Sequence, residues 1–159
     1  MVSGMRITRL AETAFPLEVN SLYVDADGEL NRIDPRERPF GFRFECLGLR
    51  FVAATRVRKG ALLLQLTAKV GPIPYTAESQ DRRRDALVIM RSSLALQHIK
   101  MGMSRDRQIE VVGEFPIAEP LTPISVVSAA TELVLEIKPY ITLLADFVTT
   151  ASRRPANRA

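Results

Sequence analysis

The sequence SQDRRRDALVIMRSSLALQHIK, Ser79–Lys100, decides the fold, because it predicts one long helix with apolar residues on several sides. At about 100° per residue, these apolar residues share three faces: Ala86, Leu87, Met90 and Leu94 on one, Val88, Ala95 and Ile99 on another, and Ile89 with Leu96 on a third. A helix that is apolar all round has to be covered all round. We therefore expect one side to pack on the chain's own sheet and another side to contact a second subunit.

The predicted dimer interface lies on this middle helix. We assign to it Leu87, Ile89, Met90 and Leu94. The side turned to the sheet then consists of Val88, Ala95 and Ile99. The periodicity also permits the opposite assignment of the two faces.

Three strands of one sheet are predicted before the middle helix. In FGFRFECLGLRFVAATRV, residues 40–57, apolar and polar residues alternate, and the alternation changes phase at Leu47-Gly48. This change favours a tight turn between two antiparallel strands. A third strand follows in ALLLQLTAKV, residues 61–70, while Asp27-Gly28 predicts an earlier hairpin turn. The segment GPIPY, residues 71–75, is expected to leave the sheet, because each proline removes a backbone donor.

Two strands and a closing helix are predicted after the middle helix. The strands are HIKMGM, residues 98–103, and QIEVVGEF, residues 108–115. Thr122 suits the N-cap of the closing helix, and Pro123 suits its first position, where no backbone donor is needed. The sequence thus predicts an α+β fold with an antiparallel sheet of about five strands, arranged as a three-stranded meander, a long helix, two strands and a C-terminal helix.

One domain is expected over residues 1–150, a length that can bury a core. Its first part, residues 1–20, has weak patterning, with a short helix near Ile7–Ala14. Residues 151–159 are polar and basic and predict a flexible tail.

The composition favours a cytoplasmic protein. Hydrophobic residues make up 47% of the chain and charged residues 25%, as in globular proteins. No stretch reaches the roughly 18 uninterrupted apolar residues of a membrane span, so we expect no membrane partner. The N-terminus has charged residues where a secretory signal needs an apolar run. A single cysteine excludes an internal disulfide and fits a reducing compartment.

The residues that usually carry catalysis are scarce. The chain has one histidine, His98, at the end of the predicted middle helix, and one cysteine, Cys46, which alternates with core phenylalanines. Together they are too few for a zinc site. Neither a glycine-rich phosphate loop nor a serine elbow occurs. We therefore expect a protein that is not an enzyme and that uses no metal or cofactor.

The net charge of +4 raises the question of an acidic partner. The densest basic group is Arg82, Arg83 and Arg84, at the start of the middle helix, and these side chains are candidates for contacts with phosphates. They lie between Asp81 and Asp85, which leaves little net local charge. The more ordinary interpretation is a solvated helix start.

Four segments together resemble the type III secretion chaperone-like superfamily, which includes the secretion chaperones and the bacterial sensory-transduction-regulator family. In chain order they are GPIPY, RRRDALVIMRSSLAL, IEVVGEFPIAEP and LTPISVVSAATELVLEIKPYITLLADF. The resemblance implies a compact homodimer that binds another protein without chemistry, with the middle helix commonly the dimer element. The chain differs from secretion chaperones in being basic and in lacking a clear opening amphipathic helix, so the regulator branch stays open.

The leading functional hypothesis is a non-catalytic homodimer that captures a segment of an unidentified partner protein. An exposed apolar surface or a sheet edge would bind it, in a groove or by strand addition. The alternative is a basic regulator that associates with nucleic acid through Arg82–Arg84 and the tail arginines Arg153 and Arg154.

Overall fold

The computed structural model describes residues 5–6, 21–28, 30–34 and 36–148. The expected helix near Ile7–Ala14 and the tail 151–159 lie outside the described residues. Within them the chain forms two antiparallel sheets and two α-helices, which confirms the predicted α+β class.

The smaller sheet contains three short strands among the described residues, in the order β1-β3-β2. These strands are β1 (Met5–Arg6), β2 (Leu22–Val24) and β3 (Leu30–Arg32). The turn between β2 and β3 closes where the Gly28 N–H donates to the Asp25 carbonyl at 3.1 Å. Gly28 has a φ of 79°, which glycine adopts without strain. The predicted hairpin turn is therefore confirmed.

The larger sheet contains five strands in the order β4-β5-β6-β8-β7, and every neighbouring pair is antiparallel. They are β4 (Gly41–Cys46), β5 (Leu49–Arg58), β6 (Ala61–Pro72), β7 (Ile99–Met103) and β8 (Gln108–Pro116). This is the predicted meander followed by two more strands.

Two tight turns build the meander. Leu47 and Gly48 have φ angles of 53° and 69°, and Lys59 and Gly60 have φ angles of 51° and 78°. Positive φ at both central residues is typical of the hairpin turn whose twist matches that of the flanking strands. The phase change at Leu47-Gly48 is thus a turn, as predicted.

The third strand of the meander is longer than predicted. We expected residues 71–75 to leave the sheet, but β6 continues to Pro72. A bulge between Lys69 and Gly71 absorbs an irregular step in the pairing with β8. Pro72 occupies the last position of the strand, where its missing donor interrupts no further ladder.

The middle helix is shorter than predicted. The helix α1 spans Gln80–Ser92, and one 3₁₀ turn, Ser93–Ala95, follows it. Ser79 caps its start, because the Ser79 side chain accepts a hydrogen bond from the Arg82 N–H at 3.2 Å. The prediction of a helix to Lys100 was wrong, and Ile99 belongs to β7.

The buried hydroxyl of Ser93 explains this early end. It donates to the Met90 carbonyl at 2.6 Å and accepts a hydrogen bond from the Met101 N–H at 3.0 Å. The second bond ties the end of the helix to the strand that follows. The backbone therefore has to turn after Ser93 rather than continue as a helix.

The closing helix α2 spans Pro123–Leu144 and begins where the sequence predicts. Thr122 and Ser125 form a reciprocal capping box, and Pro123 takes the first helical position. The buried side chains of Leu121 and Val126 flank this cap.

The core lies between one face of the larger sheet and the two helices. The helix α2 packs on β6, β7 and β8, and α1 packs on β7 and α2. Fully buried sheet residues such as Phe51, Leu64 and Val111 share this core with Leu133 and Ile137 of α2. Because side chains alternate along each strand, the opposite face of the sheet carries most of the charged residues of the strands together with a few apolar ones.

Candidate functional site

The candidate site is the solvent-facing side of the larger sheet, which we call the open face. Its central row runs across three strands, with Val52 on β5 opposite Thr67 on β6, and Thr67 opposite Val112 on β8. The two valines are 42% and 45% exposed. Arg43 on β4 and Lys100 on β7 end the row on either side. A short apolar strip thus lies between two cations.

A second group on the open face consists of four charged side chains, two basic and two acidic. Glu45 on β4 lies opposite Arg50 on β5, and Lys69 on β6 lies opposite Glu110 on β8. The Glu45 carboxylate lies 3.3 Å from the Arg50 guanidinium, and the Lys69 ammonium lies 4.0 Å from the Glu110 carboxylate. Exposed pairs of this kind contribute about 0–1 kcal/mol each, so they add little to the stability of the sheet.

Val52, Thr67 and Val112 and the four charged residues line an open cavity of about 700 Å³, while Arg43 and Lys100 are not part of its lining. It is open to solvent and mixes apolar with charged groups. On the whole face basic side chains outnumber acidic ones: Arg43, Arg50, Arg56, Arg58, Lys69 and Lys100 against Glu45, Glu110 and Glu114. The open face therefore favours an extended ligand with negative charge and small apolar groups.

The strand β4 forms one edge of the sheet and carries a ladder of phenylalanines on its inner side. The ring centroids of Phe40 and Phe42 are 6.4 Å apart, and those of Phe42 and Phe44 are 5.9 Å apart. Phe44 stacks on the buried Phe51 of β5 at 5.2 Å. The three ladder side chains are half-buried and pack against the core. This edge thus combines apolar surface with strand backbone that no described residue pairs.

The opposite edge, β7, is partly closed. The Met101 N–H already donates a hydrogen bond to the Ser93 hydroxyl. Just before the strand, Glu136 of α2 accepts hydrogen bonds from the backbone N–H groups of Gln97 and His98, at 2.6 Å and 3.2 Å. The His98 Nδ1 lies 3.3 Å from the same carboxylate, and its ring packs on Phe115. His98 was predicted at a helix end, but it lies at the entry to β7, where it links the strand to α2.

The side chains of the arginine triplet, Arg82–Arg84, all make contacts within the protein. Arg82 donates to the Asp146 carbonyl after α2, and Arg83 donates to the Pro74 carbonyl before α1, both at 3.0 Å. Arg84 lies within ion-pair distance of the acids on either side of the triplet, Asp81 and Asp85. The three guanidinium groups thus serve three different local contacts and do not converge on one point.

The predicted interface residues of the middle helix are spread over several environments. Met90 is 7% exposed and belongs to the core, while Leu87 and Ile89 are half-buried against it. Leu94, in the 3₁₀ turn, is 57% exposed. Val88 and Ala95 were expected to face the sheet, but both are exposed. A dimer interface on this helix stays a prediction, and Leu94 is the member that a partner reaches most easily.

The described residues contain no cluster of three or more histidine, cysteine or acidic side chains arranged to hold a metal ion. Cys46 is half-buried at the end of the phenylalanine ladder. In the part of the chain that the structure describes, neither helix combines the length and apolar character needed to cross a bilayer.

Comparisons with known proteins add one partial likeness. No family model matches the chain, and no curated protein matches it. Among solved structures, it is similar to YbjN, a proposed transcription regulator from E. coli. The two are 19% identical, the match covers 67% of this chain and 82% of that chain, and the TM-score is 0.32. Values this low describe an incomplete overlap, so no function is transferred from it.

Proposed function

We propose that this protein is a non-catalytic homodimer that binds an extended, acidic segment of a partner protein on the open face. The observation that carries the proposal is the strip of Val52, Thr67 and Val112, which lines an open cavity and has a cation on the neighbouring strand at each end. A segment with small apolar side chains would cover the valines, and its carboxylates would meet the excess of basic groups. The resemblance of four sequence segments to the secretion-chaperone-like superfamily, whose members form protein-binding homodimers, points the same way.

Nucleic acid is the alternative ligand for a basic face. Sheets that bind single strands use exposed aromatic rings, on which the bases stack. Among the described strands of this sheet, the open face carries no aromatic side chain, because Phe42, Phe44 and Phe51 all point to the inner side. The side chains of Arg82–Arg84 make separate contacts within the protein, so they do not form one phosphate-binding site. These two observations favour a protein ligand.

The test uses phage-displayed random linear peptides selected on the purified protein. We expect enrichment of acidic sequences with valine or alanine, and binding of one enriched peptide is then measured by fluorescence anisotropy. The substitution Val112→Lys places a charge in the apolar strip and should weaken binding at least tenfold. The matched control is Val127→Lys, because Val127 is 60% exposed on α2, away from the open face, and should bind like the wild type.

Two outcomes would contradict the proposal. One is selection without acidic enrichment, and the other is equal loss of binding in both valine variants. A parallel titration with a labelled oligothymidine covers the alternative. Tight binding that weakens steeply with added salt would replace the protein ligand by nucleic acid.

A further inference from the structure

We propose that two copies of this chain dimerise by pairing their β4 strands antiparallel, with the two-fold axis at Phe44, so that the two larger sheets become one continuous sheet. This inference rests on the homodimer of the proposed function, and it uses Arg43 and Glu45, whose side chains also lie on the open face. It differs from an interface on the middle helix, whose residue Met90 is already buried within the protomer.

The hydrogen bonds of Phe40 fix which backbone groups of β4 point outward. The Phe40 carbonyl accepts a hydrogen bond from the Thr55 N–H at 2.9 Å, so Phe40 is directed toward β5. In an antiparallel pair, every second residue exchanges hydrogen bonds with the neighbouring strand. Phe42, Phe44 and Cys46 therefore also bond to β5. The N–H and C=O groups of the residues between them point away from the sheet.

Two charged residues on this outward edge select the register. A second β4 strand that pairs antiparallel about Phe44 places Arg43 opposite Glu45 of its partner, and Glu45 opposite Arg43. Shifting the axis to Arg43 would set two arginines opposite each other, and shifting it to Glu45 would set two glutamates opposite each other. Opposite charges across strands stabilise the pairing and like charges destabilise it. The sequence of β4 is thus self-complementary in one register.

The phenylalanine ladder fits the same register. Phe44 meets its own symmetry mate, and Phe42 meets Cys46 of the partner, at positions that do not exchange hydrogen bonds, where side chains approach most closely. The half-buried rings of both ladders would then form one apolar strip across the dimer axis. Pro39 lies beyond one end of β4, and the turn at Leu47 lies beyond the other, so the pairing covers Phe42–Cys46.

Charge reversal tests the register. In sedimentation equilibrium, Arg43→Glu and Glu45→Arg should each weaken dimerisation about tenfold, because each converts two opposite-charge pairs into like-charge pairs. The double variant restores opposite charges and should dimerise within about threefold of the wild type. The control Arg56→Glu makes the same charge change on β5, away from the edge, and should leave dimerisation unchanged. Arg50→Ala reports separately on the loss of the ion pair with Glu45.

Cross-linking tests the position of the axis. In a Cys46→Ser background, Phe44→Cys places two thiols directly opposite each other, about 4.5 Å apart between Cα atoms, within the range that a disulfide spans. Mild oxidation, which removes two electrons and two protons from the thiol pair, should then give a covalent dimer. The matched control is Phe42→Cys in the same background, which also removes a ladder ring but faces a serine and should not cross-link.

The outcomes separate this inference from the proposed function. Weaker dimerisation in both single charge variants, with recovery of dimerisation in the double variant, supports β4 pairing. If no β4 substitution weakens the dimer but Leu94→Asp dissociates it, β4 pairing is overturned. The homodimer would then have its interface on the middle helix. A protein that stays monomeric throughout the micromolar range overturns both the pairing and the homodimer. Equal cross-linking of the two cysteine variants overturns the register.

Discussion

The hydroxyl of Ser93 joins the end of the middle helix to β7, and its removal should destabilise the fold measurably. Ser93 is fully buried, and Met101, whose N–H it accepts, is 3% exposed. In Ser93→Ala, that backbone N–H loses its partner in a place that water does not reach. Leaving a buried donor unsatisfied costs about 1–3 kcal/mol. The higher helix propensity of alanine offsets about 0.5 kcal/mol of this, so we expect a net loss of about 0.5–2.5 kcal/mol.

The neighbouring residue supplies a matched control. The Ser92 hydroxyl also donates to a backbone carbonyl, that of Val88, at 2.9 Å, but it is exposed and leaves no buried group unpaired when removed. Ser92→Ala should therefore change stability by less than about 0.5 kcal/mol. The two substitutions are at neighbouring positions, and each removes one hydroxyl oxygen from the wild-type protein.

Urea denaturation followed by circular dichroism at one protein concentration measures the difference. With a slope of about 2 kcal/mol per molar urea, the midpoint of Ser93→Ala should fall by about 0.3–1.3 M relative to the wild type. Amide hydrogen exchange should become faster at Met101. If Ser93→Ala unfolds at the same urea concentration as Ser92→Ala, the hydroxyl does not hold the strand, and the explanation of the helix end fails with it.

Two further pairs of substitutions test the packing by the same denaturation assay. Gly113→Ala should destabilise the protein by about 1–3 kcal/mol, because an added Cβ would lie 2.8 Å from the Ile99 Cβ. Gly102→Ala has open space within 4 Å and should be nearly neutral, so equal effects at the two glycines would contradict the close approach. Leu133→Ala removes a fully buried side chain of α2 and should cost about 2–5 kcal/mol, while the exposed Leu135→Ala should change little. A small effect at Leu133 would show that α2 does not complete the core.

The elements that local signals specify were predictable from the sequence. The alternation of phenylalanines with polar residues in β4 indicated a strand and its two faces. The phase change at Leu47-Gly48 indicated the turn, and Thr122-Pro123 indicated the start of α2. Each signal involves residues within a few positions of one another, so the chain carries it without knowledge of the rest of the fold.

The end of the middle helix was not predictable, because it depends on a contact between separate elements. Residues 93–99 continue the apolar pattern of the helix and also permit a strand. What decides between them is the bond from the Met101 N–H to Ser93, eight positions earlier. A periodicity argument contains no such contact, and so it extended the helix into β7.

The candidate site was predictable only in its parts. Alternation alone places Arg43 and Glu45 on the side of β4 opposite the phenylalanines. It does not place Thr67 beside Val112, because that pairing depends on β8 joining β6 across the intervening helix. It also does not identify β4 as an edge, which is a property of the strand order. The open face, and an edge strand that no described residue pairs, therefore follow only from the strand order of the folded sheet.

The contrast between the two edges of the sheet limits how far the protein can assemble. A two-fold pairing uses the β4 edge of both copies, which leaves a β7 edge at each end of the combined sheet. If those ends were bare, further copies could add to them and produce a fibre. The outward N–H of Met101 already donates to the Ser93 hydroxyl. Just before β7, the Gln97 N–H donates to the Glu136 carboxylate. These two side chains hinder strand addition at β7, so the proposed dimer through β4 would not readily extend into a fibre.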